Sequence, residues 1–370
     1  MINPRSYRCY ETPADRWAGV GPYYAMFPVD FANRAIQEYT DPGDWILDPF
    51  ARRGTAIFSA ATQGRFGLGI EINPVGWVYG RAKLHTGARE DVEKLIRWLG
   101  SMVPRYREQA AALPDFFKHC FCPAVREFLV TARSLLHWRC RRADWTTIAL
   151  LLIDLHGKRK DSLSNQMRQT KAMSPQYAIR WWHERGLLPP ERDPVEFMFK
   201  KVAWRYAKGR PEIEDSKLYL GDSRVLLGQL GRKTNSKVEC RAKLLLTSPP
   251  YYGVTNYFYD QWLRLWLLGG PPQPRSPGDP CKRKFENKEH YVSMLRSVFA
   301  KSKPLLAPDA VIYVRTDARE FTLGATLQAL DEVFPDKKVC DERRSLPSFT
   351  QTALFDADLE TKGEIDLVLW

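Results

Sequence analysis

The nine residues Leu244-Leu245-Leu246-Thr247-Ser248-Pro249-Pro250-Tyr251-Tyr252 constrain this chain more than any other stretch of its sequence. Three consecutive leucines after the mixed segment 238–243 suit an interior strand of a parallel sheet, which is apolar on both faces. Two prolines end it, because neither can donate to a ladder and both fix their backbone torsion. The run predicts a buried strand that opens at its carboxyl end into a rigid loop. In such a loop a fixed carbonyl beside a hydroxyl makes a pair of acceptors for an amino group, and a following tyrosine offers a face on which a base can stack.

Three other stretches have a related form. Residues 44–55, Asp-Trp-Ile-Leu-Asp-Pro-Phe-Ala-Arg-Arg-Gly-Thr, read as a short buried strand, a tight turn, and a helix starting near Thr55 and running through Ala61. Strand, glycine turn and helix N-terminus form the usual cradle for a nucleotide-like ligand at the carboxyl edge of a parallel sheet. Residues 67–74 read as a second strand ending in Glu71. That acid stands about 20 residues past the first loop, the spacing at which a carboxylate meets ribose hydroxyls in dinucleotide folds. Residues 217–223 resume strand character and end in Asp222. Upstream, 21–28 reads as an aromatic loop leading to an amphipathic helix over 29–39, with Phe31, Ala35, Ile36 and Tyr39 at helical spacing.

Thr247-Ser248-Pro249-Pro250-Tyr251 resembles the catalytic motif of the DNA amino-methyltransferases, in the Ser-Pro-Pro-Tyr form more typical of cytosine-N4 enzymes. The adenine-N6 enzymes more often carry Asp or Asn in place of Ser248. Residues 48–55 resemble the cofactor loop Asp-Pro-Phe-x-Gly-x-Gly-Thr of the same family, and the aromatic loop before them resembles its additional cofactor-binding motif. There is one departure, Arg52 in place of the first glycine, whose side chain must point away from the cofactor or narrow the site. The resemblance implies S-adenosyl-L-methionine as cofactor, held by Tyr24, Phe27, Asp48, Pro49, Phe50, Gly54, Thr55, Glu71, Ile72 and Asp222. In that reading Glu71 takes the ribose, Ile72 packs on the adenine and Asp222 accepts from the adenine amine. It also implies a catalytic loop of Ser248, Pro249, Pro250 and Tyr251. A target base flipped from the duplex would stack on Tyr251 with its exocyclic amine bonded to Ser248 and the Pro249 carbonyl, without a covalent enzyme intermediate or a metal.

Charge points the same way. A net charge of +13, from 56 Lys and Arg against 43 Asp and Glu, with twelve Trp and sixteen Tyr, favours a polyanion partner over a small neutral one. From about 87 to 209 the composition shifts, with helical apolar spacing over 90–113, 123–137 and 145–155 and no glycine-rich loop between them. Within this insertion Lys158-Arg159-Lys160 and the run 164–171, with Asn165, Gln166, Arg168 and Lys171, interleave cations and amides. Such side chains reach phosphates and base edges, so these residues are expected to contact DNA. No apolar run approaches a membrane span and the N-terminus lacks a signal-peptide pattern, which predicts a cytoplasmic protein. Seven scattered cysteines fit reduced thiols, and His119, Cys120, Cys122 and Cys140 lack the paired spacing of a zinc site.

Helices expected over 257–268, 291–306 and 321–333 alternate with strands over 310–314 and 364–370. The expected architecture is α/β, a doubly wound Rossmann-like methyltransferase sheet with a mostly helical inserted lobe. Residues 1–87 and 211–370 are expected to form the S-adenosylmethionine-dependent domain, and 88–210 a helical insertion for DNA target recognition. The expected activity is site-specific methyl transfer to the N4 amine of cytosine in double-stranded DNA, and the resemblance leaves room for a cognate restriction endonuclease as partner. Adenine-N6 methylation is the alternative, and an RNA acceptor stays open. Arg52 motivates a reading of another class, a catalytically impaired DNA-binding homologue.

Overall fold

The computed structural model describes residues 10–22, 28–234, 241–253, 257–274, 287–344 and 363–370. Seven strands among them form one sheet: β1 (Trp45–Asp48), β2 (Phe66–Glu71), β3 (Lys217–Leu220), β4 (Ala242–Thr247), β5 (Leu306–Asp317), β6 (Val339–Arg344) and β7 (Glu364–Leu369). Their order is β3-β2-β1-β4-β5-β7-β6. The first five are parallel to their neighbours, and β7 enters antiparallel to both β5 and β6.

The alternation of side chains along each strand explains why the sheet is covered on both faces. Ile46, Leu244, Leu246, Tyr313 and Val368 pack on one face with Phe31, Ala32, Ala35 and Ile36 of the helix Val29–Tyr39 and with Ala56 and Ala60 of the helix Thr55–Ala61. Leu47, Leu245, Ile312, Val314 and Leu367 pack on the other with residues of Lys288–Ser302 and Glu320–Val333. The α/β doubly wound architecture expected from the sequence is the one observed.

The chain divides into two compact units. The sheet unit comprises Tyr23–Gly80, Ile213–Asn256 and Arg283–Trp370, and the helical unit Met1–Pro22, Arg81–Glu212 and Tyr257–Lys282. Segments 1–22, 81–87, 211–212 and 257–282, expected with the sheet, therefore fall in the helical unit. Trp17, on the helix Pro13–Ala18, meets Tyr206 edge to face at 5.1 Å. Trp262 and Trp266 pack against Phe117, and the fully buried Arg264 donates to the carbonyls of Leu152 and Gln169 at 2.8 and 2.6 Å. These aromatic side chains are buried by a distant segment that sequence spacing does not reveal. Pro104 likewise interrupts the helix expected over 90–113, giving Arg89–Met102, a 3₁₀ turn Val103–Tyr106 and Arg107–Ala111.

Leu245 lies on central strand β4, fully buried. Leu245→Ala is expected to lower the unfolding free energy by about 2–5 kcal/mol, read in urea denaturation as an earlier midpoint with an unchanged slope.

Candidate active site

In an open parallel sheet, ligands bind beyond the carboxyl ends of the strands where the strand order reverses. Here that point lies between β1 and β4. The loop after β1 carries Asp48 to Thr55 and the loop after β4 carries Ser248 to Tyr251. The two are tied at their roots, where Thr247 Oγ1 donates to Asp48 Oδ1 at 2.7 Å. Asp48 also accepts from the Phe50 amide at 3.0 Å. Burial pushes its carboxyl up to about 6, against the lowering influence of these two donors and of Arg52. Pro49 is fixed by Ser223, whose hydroxyl donates to the Pro49 carbonyl at 2.5 Å.

The turn after β1 is left-handed at Gly54, with φ 69° and ψ 38°, and this residue caps the helix Thr55–Ala61. Such torsions cost glycine nothing. Arg52 is the one non-glycine residue among those described with positive φ, at 51°, a conformation that costs an L-residue about 1–2 kcal/mol. The helix Pro74–Leu84 crosses close behind this turn, since a Cβ on Gly76 would stand 2.6 Å from the Arg52 carbonyl oxygen. The Arg52 side chain runs to the other loop. Its Nη2 donates to the Ser248 carbonyl at 3.1 Å, the Ser248 hydroxyl at 3.3 Å and the Pro249 carbonyl at 3.2 Å.

Ser248 and Pro249 are buried, Pro250 is half-buried, and Tyr251 is 5 % exposed. The Tyr251 ring is thus largely enclosed in this structure, with the Arg52 guanidinium 5.8 Å from its centre. Its hydroxyl donates to Glu364 Oε1 at 2.9 Å, and burial together with the adjacent Glu364 carboxylate holds the phenol well above its usual range. Behind Glu364 stands Arg315, 3.7 Å from Glu364 Oε2 and bidentate to Asp366 at 2.6 and 2.7 Å. All three are buried, and the guanidinium carbon of Arg315 lies 3.6 Å from the Phe31 ring centre. Charges taken from water need such complete pairing.

At the end of β2, Glu71 is buried and its Oε1 accepts from the Asn73 amide at 2.7 Å. Burial drives its carboxyl up to about 8, although that amide and Arg52 pull the other way. Ile72 beside it is 37 % exposed. A carboxyl with an apolar face next to it at the carboxyl edge of a parallel strand fits a nucleoside, offering acceptors to vicinal hydroxyls and a surface to a ring. Asp222, after β3, accepts from the Arg224 backbone amide at 2.9 Å and pairs with its guanidinium at 2.7 Å. Tyr24 and Phe27 lie outside the described residues.

In the helical unit, Lys158, Arg159 and Lys160 occupy an exposed turn. Arg192 Nη2 braces it by donating to the carbonyls of Arg159 and Lys160 at 3.2 and 3.1 Å, and the Arg159 amide donates to Gln166 Oε1 at 2.9 Å. These residues, with Pro190, line a concavity of about 410 Å³. Arg168 is exposed nearby in sequence, and Lys171 pairs with Asp260 at 2.9 Å. Asn165 corrects the sequence-based expectation. It is fully buried, and its amide donates to the carbonyls of His119 and Leu187 at 3.2 and 2.9 Å while its Oδ1 accepts from the Gln166 backbone. Its donors are spent inside the unit.

Residues 2–75 match the family described as N6/N4 DNA methylase. A Type II methyltransferase M.MthZI of Methanothermobacter thermautotrophicus is 43% identical over 49 residues, 13% of this chain and 14% of that protein. A Type II methyltransferase M.MjaII of Methanocaldococcus jannaschii is 28% identical over 97 residues, 26% of this chain and 18% of that protein. These stretches of the chain are similar to DNA methylases. The chain spans less than a fifth of the length of these curated relatives, at 14% and 18%. Among solved structures, an rRNA methyltransferase of Streptomyces viridochromogenes aligns over 98% of this chain and 95% of its own at 13% identity, with a TM-score of 0.34, too distant a likeness to argue from.

The partners of three residues of this site escape sequence reasoning. Thr247, Glu364 and Arg315 act through partners 199, 113 and 51 residues away. One signal was present: Glu364 and Asp366 stand two apart in an otherwise apolar strand, hence on one face.

The Glu71 carboxyl, raised from an ordinary value of 4.5 to about 8, stabilises the fold most below 4.5, and that contribution is lost as pH rises through about 8. The stability difference between wild type and Glu71→Gln should therefore turn against wild type between pH 5 and 8, at up to about 1.4 kcal/mol per pH unit, in denaturant titrations run in parallel.

Proposed function

We propose that the chain is an S-adenosyl-L-methionine-dependent DNA amino-methyltransferase acting on the N4 amine of cytosine, with the N6 amine of adenine as the alternative acceptor. One observation carries the reading. Three acceptors, the hydroxyl and carbonyl of Ser248 and the carbonyl of Pro249, converge on a single nitrogen at 3.1–3.3 Å. That nitrogen is Arg52 Nη2, which stands in for the amino group of a base. An exocyclic amine placed there would have both hydrogens held, leaving its lone pair to face the methyl donor.

Bound S-adenosyl-L-methionine would supply an electrophilic methyl group on a sulfonium. The residues that would hold it are those of the turn Asp48–Thr55, with Glu71 accepting from the ribose and Ile72 covering the adenine. Asp222 would reach the adenine amine only by giving up part of its pairing with Arg224. Thr247 and Asp48 keep the amine acceptors and the cofactor turn at a fixed separation. Ser248 offers a hydroxyl in place of the amide or carboxylate usual in adenine enzymes, which favours cytosine. The exposed cations Lys158, Arg159, Lys160 and Arg168 would take DNA phosphates, with Gln166 and Lys171 nearby in sequence. Double-stranded DNA as partner, a cytoplasmic location and a cognate restriction endonuclease belong to the same proposal. Among the described residues no helix is long and apolar enough to cross a membrane.

A second reading, a DNA-binding homologue without turnover, draws on Arg52 lying on the amine acceptors. Transfer of label from S-adenosyl-L-methionine to mixed-sequence duplex DNA, with mass analysis of the digested nucleosides, separates the readings. N4-methylcytosine is the expected product, N6-methyladenine would move the assignment to the alternative, and DNA binding without incorporation would favour the second reading. Ser248→Ala should lower turnover about a hundred-fold while DNA affinity stays within a few-fold. Replacing Lys158 and Lys160 together by Ala should weaken DNA binding and reduce the slope of log affinity against log salt by about two.

A further inference from the structure

Arg52 links the two loops of the site. Its Nη2 sits on the three acceptors assigned to the target amine, and the side chain reaches them from a left-handed backbone position that glycine would occupy without strain. A guanidinium does not lose its proton in a protein, so no change of pH in the working range frees the acceptors. Left in place it would block the amine and put like charge beside a sulfonium. It is half-buried, so one side of it faces solvent.

We infer that Arg52 is a specificity-determining gate: its guanidinium holds the amine acceptors until a nucleic-acid phosphate draws it away. The inference rests on the DNA methyl-transfer reading. A base flipped out of a duplex brings its flanking phosphates with it, and a phosphate offers a guanidinium two charge-assisted bonds where the loop offers neutral acceptors. The carboxyls of Asp48, Glu71 and Glu364, which also attract Arg52, are those the phosphate must outcompete. The exchange makes the acceptors available only when a polynucleotide is present. The gate selects a phosphodiester-linked base over a free base or nucleoside, and it leaves Ser248 and Pro249 prearranged while closed.

The test is equilibrium binding of mixed-sequence duplex DNA across a salt series, with S-adenosyl-L-homocysteine present so that no turnover occurs. Wild type is compared with Arg52→Gly, which the positive φ accommodates, and with Arg52→Lys, which keeps a cation able to meet a phosphate. The gate predicts that Arg52→Gly reduces the salt slope by about 0.9, the release of one counterion, and that Arg52→Lys retains the wild-type slope. Equal slopes for wild type and Arg52→Gly, with thermal unfolding showing both folded, would overturn the gate, because the guanidinium would then have stayed on the loop. The DNA reading fails separately: wild type that neither binds DNA nor transfers a methyl group to it removes that reading and the gate with it. DNA binding without transfer leaves the slope comparison to decide the gate alone.

Discussion

The hydrogen bond from Thr247 to Asp48 is the fixed point of this site. It joins the last residue of β4 to the last residue of β1 at the place where the strand order reverses, so two loops that diverge from there start from a shared, buried anchor. Asp48 has its other tie to the Phe50 amide, which fixes the start of the turn leading to Arg52 and Gly54. Without that anchor the distance between the two loops would be set by side chains near solvent. With it, the distance is set by the packing of leucines on both faces of the sheet.

Behind the Ser-Pro-Pro-Tyr loop the same logic is repeated with charge. Tyr251 is held from below by Glu364, and Glu364 shares Arg315 with Asp366 on the antiparallel strand β7. A buried guanidinium between two carboxylates is worth little as net stability, but removing one member would strand the others in an apolar setting. The loop is thus referenced to β7 on one side and to β1 on the other. Rigid placement of this kind is what the proposed methyl transfer would need, because it would depend on the direction of a lone pair rather than on a strong nucleophile.

Much of this was legible before the structure. The helices Val29–Tyr39 and Thr55–Ala61 begin and end where the apolar spacing and the turn residues place them, and β1, β2 and β4 follow from short apolar runs ending in an acid or in prolines. Those are local signals, carried by neighbours in the chain. Less local features were hidden. The helix Pro74–Leu84 depends on glycines that permit close approach rather than on an amphipathic stripe. Asn165 reads as a polar contact in sequence but is a brace in three dimensions, because carbonyls from positions 119 and 187 happen to need its amide. Arg52 was visible as a departure from a glycine, yet its direction could be known only once β1 and β4 were neighbours.

That neighbourhood has a cost in time. β1 and β4 are paired neighbours in the sheet, yet Trp45 and Ala242 lie roughly two hundred residues apart in the chain. During synthesis β1 and β2 emerge first, and the apolar edge that β4 will cover waits roughly ten to forty seconds at ordinary elongation rates. Most of the helical unit is made in that interval, from Arg81 to Glu212. A growing chain of this kind carries an unpaired parallel edge while its second unit still lacks the segment Tyr257–Lys282. The order in which the ribosome delivers the segments therefore leaves the nascent sheet, unlike the finished fold, with an open edge until β4 emerges.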